Sequence, residues 1–207
     1  MIITISREYG AAGRAVSHAL AEHLGYRLVD DELAVIVAAR LGTSPDVVDG
    51  TDVRSTGFGE RLLQSLAAAI PEALQPDGGF DDLTLSVQRE VERQMHAAAD
   101  GDDAIIVGRL GNAVLRDRPN VLSVFLTAPL PWRIVHIAAS LGCTEAEARS
   151  EIARVDSGRR KAARERYDFT WGDPHRYDLV LDVAAFGVAG AVELIAAASR
   201  VRGSAHR

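Results

Sequence analysis

Five short apolar segments alternate with helical patterns along the chain, and this alternation constrains the fold more than any other feature. The apolar segments are Ile2–Ser6, Tyr26–Asp30, Ala104–Val107, Val121–Thr127 and Leu179–Val183. They are short and bounded by turn residues, as the buried strands of a parallel sheet are. The helical patterns that separate and follow them are Arg14–Leu24, Asp31–Leu41, Gly59–Ala69, Leu83–Ala99, Asn112–Arg116, Leu130–Leu141, Thr144–Tyr167 and Val188–Val201. We therefore expect an α/β fold in which helices cover both faces of a parallel sheet.

The turn after the first predicted strand has the composition of a phosphate-binding loop. A Walker A loop, G-x-x-x-x-G-K-[ST], wraps phosphates with backbone N–H groups, contacts them with its lysine and binds Mg²⁺ through its hydroxyl. Here Glu8 replaces the first glycine, Arg14 the lysine and Ala15 the hydroxyl residue. The sequence leaves two interpretations open, a phosphate site or a tight strand-to-helix turn. For the first, the candidate cofactor-binding residues are Tyr9, Gly10, Ala11, Ala12, Gly13, Arg14 and Ala15.

A dinucleotide-binding fingerprint fits this turn less well. The pattern G-x-G-x-x-G needs a glycine at position 8, where the chain has Glu8. Asp30 ends the second predicted strand, where an acidic residue would bind the ribose of a dinucleotide. An oxidoreductase is therefore the weaker alternative.

Composition bears on several other classes of function. The chain has 207 residues, a formal net charge of −6 and a single cysteine, Cys143. The length fits one domain, and the negative charge argues against a nucleic-acid partner, which requires a broad cationic surface. One cysteine cannot form an internal disulfide and suits the reducing cytoplasm. We find no long apolar window and expect no membrane partner. Histidine and cysteine residues do not cluster as in a zinc site, and we assign no metal ligands.

One basic segment interrupts this acidic sequence. Six basic residues lie between Arg154 and Arg166, opposed only by Asp156 and Glu165. The segment continues a helix that starts with the capping-box sequence Thr144-Glu145-Ala146-Glu147. Arg160 and Arg164 are an i,i+4 pair and repel each other unless an anion or a carboxylate lies between them. The segment is either a solvated helix face or an anion-binding lid.

Three segments, taken in order, resemble the cytidylate kinase-like family of P-loop proteins. They are SREYGAAGR, VGRLGNAVLRDRPNVLSVFLTAPLPWRI and WGDPHRYDLVLD. The resemblance extends from Ile2 to about Ile195 and is poorest over residues 42–82. It implies a P-loop NTPase fold of the nucleoside monophosphate kinase type, with a five-stranded parallel sheet. Residues 1–207 would then form a single domain, with 42–99 as the insertion that binds the monophosphate and 144–176 as an arginine-rich lid.

The same resemblance implies the activity and its partners. The function would be phosphoryl transfer from ATP to a nucleoside monophosphate or a similar small phosphate acceptor. ATP would be the cofactor, and a nucleotide or another small phosphorylated molecule the partner. Mg²⁺ would be a second cofactor, but its usual ligands are missing, and Ser6 or Ser17 would have to supply the hydroxyl. A homodimer stays open.

The resemblance also implies roles for individual residues. Arg14 would contact the β and γ phosphate oxygens of the donor. Arg109 matches the arginine that meets the substrate phosphate. Asp30 would either point into the substrate crevice or cap the next helix. The expected catalytic residues are Arg14, Arg109, Arg160 and Arg164, while Arg159 would contact the cofactor and Asp156 the substrate.

The chain departs from the kinases at several of these positions. True cytidylate kinases end the third strand with a D-G-R-D-type sequence, whereas this chain has Val107-Gly108-Arg109-Leu110. Both flanking carboxylates are therefore replaced by apolar side chains. Together with the missing lysine and hydroxyl of the loop, this keeps an alternative open. The protein would then be a nucleotide- or phosphate-binding module without turnover.

Overall fold

The computed structural model describes residues 1–30, 40, 79–101 and 103–205. In its outermost helical turns, residues 79–84 and 204–205, only the backbone is described. The predicted helices Asp31–Leu41 and Gly59–Ala69 lie outside the described residues, apart from Arg40. The same holds for most of the predicted insertion 42–99. These predictions therefore stay predictions.

The core element is a five-stranded sheet in which every neighbouring pair is parallel. The strands are β1 (Ile2–Arg7), β2 (Arg27–Val29), β3 (Ala104–Val107), β4 (Val121–Thr127) and β5 (Leu179–Asp182). Their order across the sheet is β2-β3-β1-β4-β5. The register pairs Ile5 of β1 with Val107 of β3 and with Val124 of β4. The carboxyl ends of these strands therefore meet at one edge, as predicted for a parallel α/β sheet.

Helices cover this sheet at nearly the predicted bounds. They are α1 (Gly13–Leu24), α2 (Gly79–Asp100), α3 (Gly111–Val114), α4 (Leu130–Leu141), α5 (Glu145–Tyr167) and α6 (Val183–Ala205), with a 3-10 turn at Pro174–Arg176. The α5 helix begins with the predicted capping box, in which Thr144 and Glu147 exchange side chain-to-backbone hydrogen bonds. The α6 helix begins five residues earlier than predicted. A kink at Gly187, whose φ is 66°, separates its first turn from the rest of the helix.

Both faces of the sheet are buried, which explains why its strands are apolar throughout. On one face Ile2 and Ile106 pack with Met95 of α2 and Leu115. On the other face Ile3, Ile5 and Ile105 pack with Val16 and Leu20 of α1 and Ile195 of α6. Successive residues of β1 thus point to opposite faces. The two cores hold the carboxyl edge of the sheet rigidly in place.

One helix of the described part has the length and composition of a membrane span. It covers Val183–Gly203 of α6, has a mean hydropathy of 1.5 and is 33% buried. The sequence analysis had expected no such segment. In the structure Ala191, Val192, Ile195 and Ala196 of this helix are buried in the core. Length and composition do not separate a core helix from a spanning one, so the expected lack of a membrane partner stays a prediction.

Candidate phosphate-binding site

The loop between β1 and α1 makes a tight turn at the carboxyl edge of the sheet. Gly10 has φ 85° and Ala12 has φ 52°, both in the left-handed region. A Cβ on Gly10 would lie 2.9 Å from Ile137 Cγ1 and 3.1 Å from the Arg133 carbonyl oxygen, so the loop approaches α4 closely. Ala12 is the N-cap of α1 and offers no capping side chain. The first turn of α1 is thus a helix N-terminus without a side-chain cap, the kind of site at which backbone amides bind anions.

Glu8, at the position of the first Walker glycine, is directed away from the loop. Its Oε2 atom accepts hydrogen bonds from Thr127 Oγ1 at 2.6 Å and from the Ala128 N–H at 3.1 Å. Its other oxygen lies 3.4 Å from Arg133 Nη2. The carboxylate therefore ties the start of the loop to the end of β4.

A buried ion pair braces the loop from α4 and α5. Arg133 is 7% exposed and Asp156 is 4% exposed, and their closest atoms, Nη1 and Oδ2, are 2.7 Å apart. Arg133 also donates to the carbonyl oxygens of Tyr9, at 3.1 Å, and Ala128, at 3.0 Å. Asp156 Oδ1 accepts the Tyr9 N–H at 2.9 Å. Both polar groups of the Tyr9 backbone are therefore fixed by one ion pair.

Of the four predicted lid residues on α5, Asp156 and Arg159 contact the loop. Arg159 donates from Nη1 to the Arg7 carbonyl oxygen at 2.7 Å and lies 3.6 Å from Asp156. Its guanidinium is 5.9 Å from the ring centre of Tyr9, within cation–π range. Burial is the main cause that raises the pKa of the Tyr9 phenol, which keeps this ring neutral. Two of the predicted catalytic residues, Arg160 and Arg164, are exposed, and Arg164 lies 3.3 Å from Asp168.

Arg109 lies in a strained turn at the end of β3. Gly108, Arg109 and Leu110 have φ values of 76°, 49° and 56°, three consecutive residues in the left-handed region. A non-glycine residue in this region costs roughly 1–2 kcal/mol. Arg109 is half-buried. Because β3 pairs directly with β1, the turn that carries Arg109 lies beside the start of the phosphate loop.

Leu110, which replaces a kinase aspartate, is a core residue. It is 8% exposed and packs against Phe125, Phe169, Trp171 and Tyr177. Trp171 in turn meets the Phe125 ring edge-on at a centroid distance of 5.2 Å. An apolar side chain in this aromatic cluster offers no hydrogen bond to a nucleobase.

The candidate Mg²⁺ ligands are poorly placed for a cation. Ser17 is fully buried, and its Oγ donates to the Arg14 carbonyl oxygen at 3.0 Å within the first turns of α1. Ser6 Oγ lies 3.4 Å from Asn112 Oδ1. Asp30, which was predicted to point into the substrate crevice or to cap the next helix, is half-buried and follows β2 at the same edge of the sheet. Within the described part of the chain, no three His, Cys, Asp or Glu residues are grouped as metal ligands. The two hydroxyls considered for Mg²⁺, those of Ser6 and Ser17, therefore do not fit this role.

A cavity of about 610 Å³ opens beside the loop, between α1 and α4. This volume lies in the range of small-molecule sites. Most of the predicted cofactor residues line it, while Ala11 is fully buried. The lining comprises Arg7, Glu8, Tyr9, Gly10, Ala12, Gly13, Arg14, Ala15, His18, His136, Ile137, Ser140 and Arg159. The cavity therefore brings the loop, α1 and the lid residue Arg159 together.

Three residues of this site were missed in the sequence analysis. Glu8 was noted only as a departure from the Walker pattern, and no role was given to Arg7 or Arg133. A signal for Arg133 was present, because it shares the buried face of α4 with Ile134 and Ile137. A charged residue on the apolar face of a helix needs a buried partner.

Solved structures share this fold. An uncharacterized protein from Eubacterium ventriosum superposes with a TM-score of 0.69, at 20% identity over 97% of this chain and 98% of that one. A shikimate kinase from Bacteroides thetaiotaomicron gives a TM-score of 0.52, at 12% identity over 94% of this chain and 96% of that one. These similarities establish the P-loop fold.

Sequence comparison identifies the family. Cytidylate kinases from Pyrococcus furiosus and Thermococcus sibiricus are 23% and 27% identical to this chain over 198 and 137 residues. The first alignment covers 96% of this chain and 88% of its relative, and the second covers 66% and 70%. The sequence model of the cytidylate kinase-like family matches residues 2–185. The chain therefore belongs to the cytidylate kinase-like family.

Proposed function

We propose that the protein transfers a phosphoryl group from ATP to a nucleoside monophosphate or a similar small phosphate acceptor, and that it acts in the cytoplasm. The observation that carries this proposal is the cavity beside the loop between β1 and α1. It is lined by Arg7, Arg14 and Arg159, and the only carboxylate among the described residues that line it, Glu8, is directed to β4. A cationic cavity at a helix N-terminus is suited to phosphate groups.

The chain would act by positioning and by charge neutralisation, as phosphoryl transfer requires. The first-turn amides of α1 and Arg14 would hold the donor phosphates. Arg109 and Asp30, at the ends of neighbouring strands, would hold the acceptor. Arg159 fastens α5 to the loop, while Arg160 and Arg164 remain proposed lid residues that would close from the exposed flank of the helix.

Mg²⁺ is typical of kinases, yet the hydroxyls considered for it do not fit this role. The hydroxyl position of the loop is Ala15, and the Ser17 hydroxyl donates to the backbone. Arginine side chains can neutralise phosphate charge without a metal ion. We therefore assign this task to the arginines.

A binding module without turnover is the second candidate. It is favoured by the Tyr9 amide, which is already occupied by Asp156, and by the apolar residue at position 110. Such a module would bind ATP but form no ADP in the presence of any acceptor.

The deciding experiment follows ADP formation from ATP with a panel of monophosphates: CMP, dCMP, UMP, AMP and GMP. Arg109→Ala is compared with Arg116→Ala, because Arg116 is exposed beyond α3 and serves as the matched control. We expect ADP with at least one acceptor and a loss of about 100-fold or more for Arg109→Ala alone.

Two results would contradict the proposal. ATP binding without ADP formation for every acceptor would identify the binding module. Equal rates for the Arg109 and Arg116 variants would show that Arg109 does not bind the acceptor. Omitting Mg²⁺ and adding a chelator tests whether a divalent metal ion is needed.

A further inference from the structure

The side chain of Arg7 spans the site from the phosphate loop to the end of β3. Arg7 is the last residue of the central strand β1 and lines the cavity. Its stem packs against Gly13, where an added Cβ would lie 2.6 Å from Arg7 Cγ and 3.1 Å from Arg7 Cβ. Its guanidinium packs against Gly108, where an added Cβ would overlap Arg7 Nη1. The two glycines thus leave the room that this arginine fills.

These two contacts place the stem of Arg7 at one half of the proposed site and its guanidinium at the other. Gly13 is the first residue of α1, at the donor end. Gly108 immediately precedes Arg109, at the acceptor end. The backbone of Arg7 is held in turn by Arg159, which donates to the Arg7 carbonyl oxygen at 2.7 Å. Arg7 is half-buried, and its side chain therefore runs from the donor end to the acceptor end of the proposed site.

We propose that Arg7 is a further catalytic residue, whose guanidinium binds the phosphoryl group as it passes from donor to acceptor. It would perform the task of the missing Walker lysine. Arg14, at the lysine position itself, is exposed at the start of α1. Arg7 reaches the site from the strand side of the loop. This inference rests on the proposed function.

The chemistry leaves Arg7 unchanged. In the transfer, the bond between the γ phosphorus of ATP and its bridging oxygen breaks, and ADP leaves with the electron pair. A new bond forms between an oxygen of the acceptor phosphate and the phosphorus. Arg7 donates N–H groups to the non-bridging oxygens and keeps its proton, because a guanidinium does not deprotonate in proteins. Charge on these oxygens is stabilised where it develops.

Four variants of the full chain test this role. Arg7→Ala removes the guanidinium, and Arg7→Lys keeps the charge without the planar fork. Gly108→Ala displaces the guanidinium without changing its charge. Gly25→Ala is the matched control, because Gly25 has φ 67°, close to the 76° of Gly108, and an added Cβ there would meet nothing within 4 Å. Both glycine variants therefore carry the same left-handed strain, and only one of them reaches Arg7.

The variants are compared in kcat, in KM and in affinity for inorganic tripolyphosphate, with thermal melting to confirm folding. We expect Arg7→Ala to lower kcat by about 100-fold or more and to weaken tripolyphosphate binding. Arg7→Lys and added free guanidinium should each restore part of kcat, which a merely structural arginine would not show. Gly108→Ala should lower kcat, and Gly25→Ala should match the parent.

Failure of this inference and failure of the proposed function are distinguishable. If the parent forms ADP and folded Arg7→Ala retains kcat and tripolyphosphate affinity, the inference is overturned and the function stands. If the parent binds tripolyphosphate but forms no ADP, the function fails. In that case, weaker tripolyphosphate binding by Arg7→Ala supports Arg7 as a phosphate ligand, and unchanged binding refutes it. Should Arg7→Ala not fold, the comparison of Gly108→Ala with Gly25→Ala decides.

Discussion

The ion pair between Arg133 and Asp156 should be the most sensitive point of the site, and Arg133→Met tests this. The substitution removes the guanidinium that is 2.7 Å from Asp156 and donates to the carbonyl oxygens of Tyr9 and Ala128. Asp156 would still accept the hydrogen bond from the Tyr9 N–H and would still lie 3.6 Å from Arg159. Breaking a buried pair from one side costs about 3–5 kcal/mol, because a buried charge loses its partner.

The free energy of unfolding, measured in urea, shows whether this estimate holds. With a slope of about 2 kcal/mol per molar urea, the midpoint should fall by roughly 1.5–2.5 M. The control is Arg154→Ala, which breaks a partly exposed pair with Glu151 on the same helix. It should cost no more than about 1 kcal/mol. An Arg133→Met midpoint equal to that of Arg154→Ala would refute the reasoning.

A double variant separates stability from positioning. Arg133→Met with Asp156→Leu replaces both charges by apolar side chains, which restores much of the stability lost by the single variant. The Tyr9 amide and carbonyl group nevertheless lose their partners. We expect a folded protein with at least about tenfold weaker ATP binding, if Tyr9 must be fixed for the loop to bind phosphate. A stable double variant with parental ATP affinity would show that the ion pair between Arg133 and Asp156 does not position the loop.

Three further predictions concern other parts of the protein. Leu110→Asp should destabilise the protein by about 3 kcal/mol, because it buries a carboxylate among aromatic rings, and urea unfolding tests this. The same variant should gain no selectivity for CMP, which the acceptor panel tests. Each of the four tyrosines has a pKa raised above 10.0, mainly by burial, so absorbance at 295 nm should show no tyrosine ionising at its ordinary pKa in the native protein. The raised values also mean that stability is fully present below pH 10 and falls as the pH rises above it, since the unfolded chain ionises first. Arg160→Ala and Arg164→Ala should cut turnover by about 100-fold and ATP affinity much less if they close over the transferring group, whereas variants that match the parent would identify a solvated helix face.

The strands could be predicted from the sequence because their burial leaves a local signal. β3 and β4 have the predicted bounds, since both faces of each are covered and the apolar run ends where burial ends. The helix α4 likewise ends at Gly142, a left-handed C-cap. The capping box at Thr144 is equally local, because both of its partners lie within one turn.

The hydrogen bonds and ion pairs around the loop could not be predicted, because they join residues that are far apart in the sequence. Spacing shows that Asp156 and Arg159 lie three residues apart on α5, and hence close together on its surface. It does not show that this side faces the loop while Arg160 faces solvent. The packing of α5 against α4 decides this. Arg133 can then reach Asp156 and the Tyr9 backbone at once.

The turn at Gly108-Arg109-Leu110 links the fold to the proposed chemistry. Two non-glycine residues in the left-handed region cost about 2–4 kcal/mol together, a large share of a typical stability of 5–15 kcal/mol. The packing of Leu110 in the aromatic cluster explains how the turn is held. It does not explain an arginine at 109, where glycine would relieve the strain. Strain of this kind gathers at functional sites, and here it falls on the residue next to the glycine that accommodates Arg7. We infer that the turn holds Arg109 close to Arg7 at the carboxyl edge of the sheet.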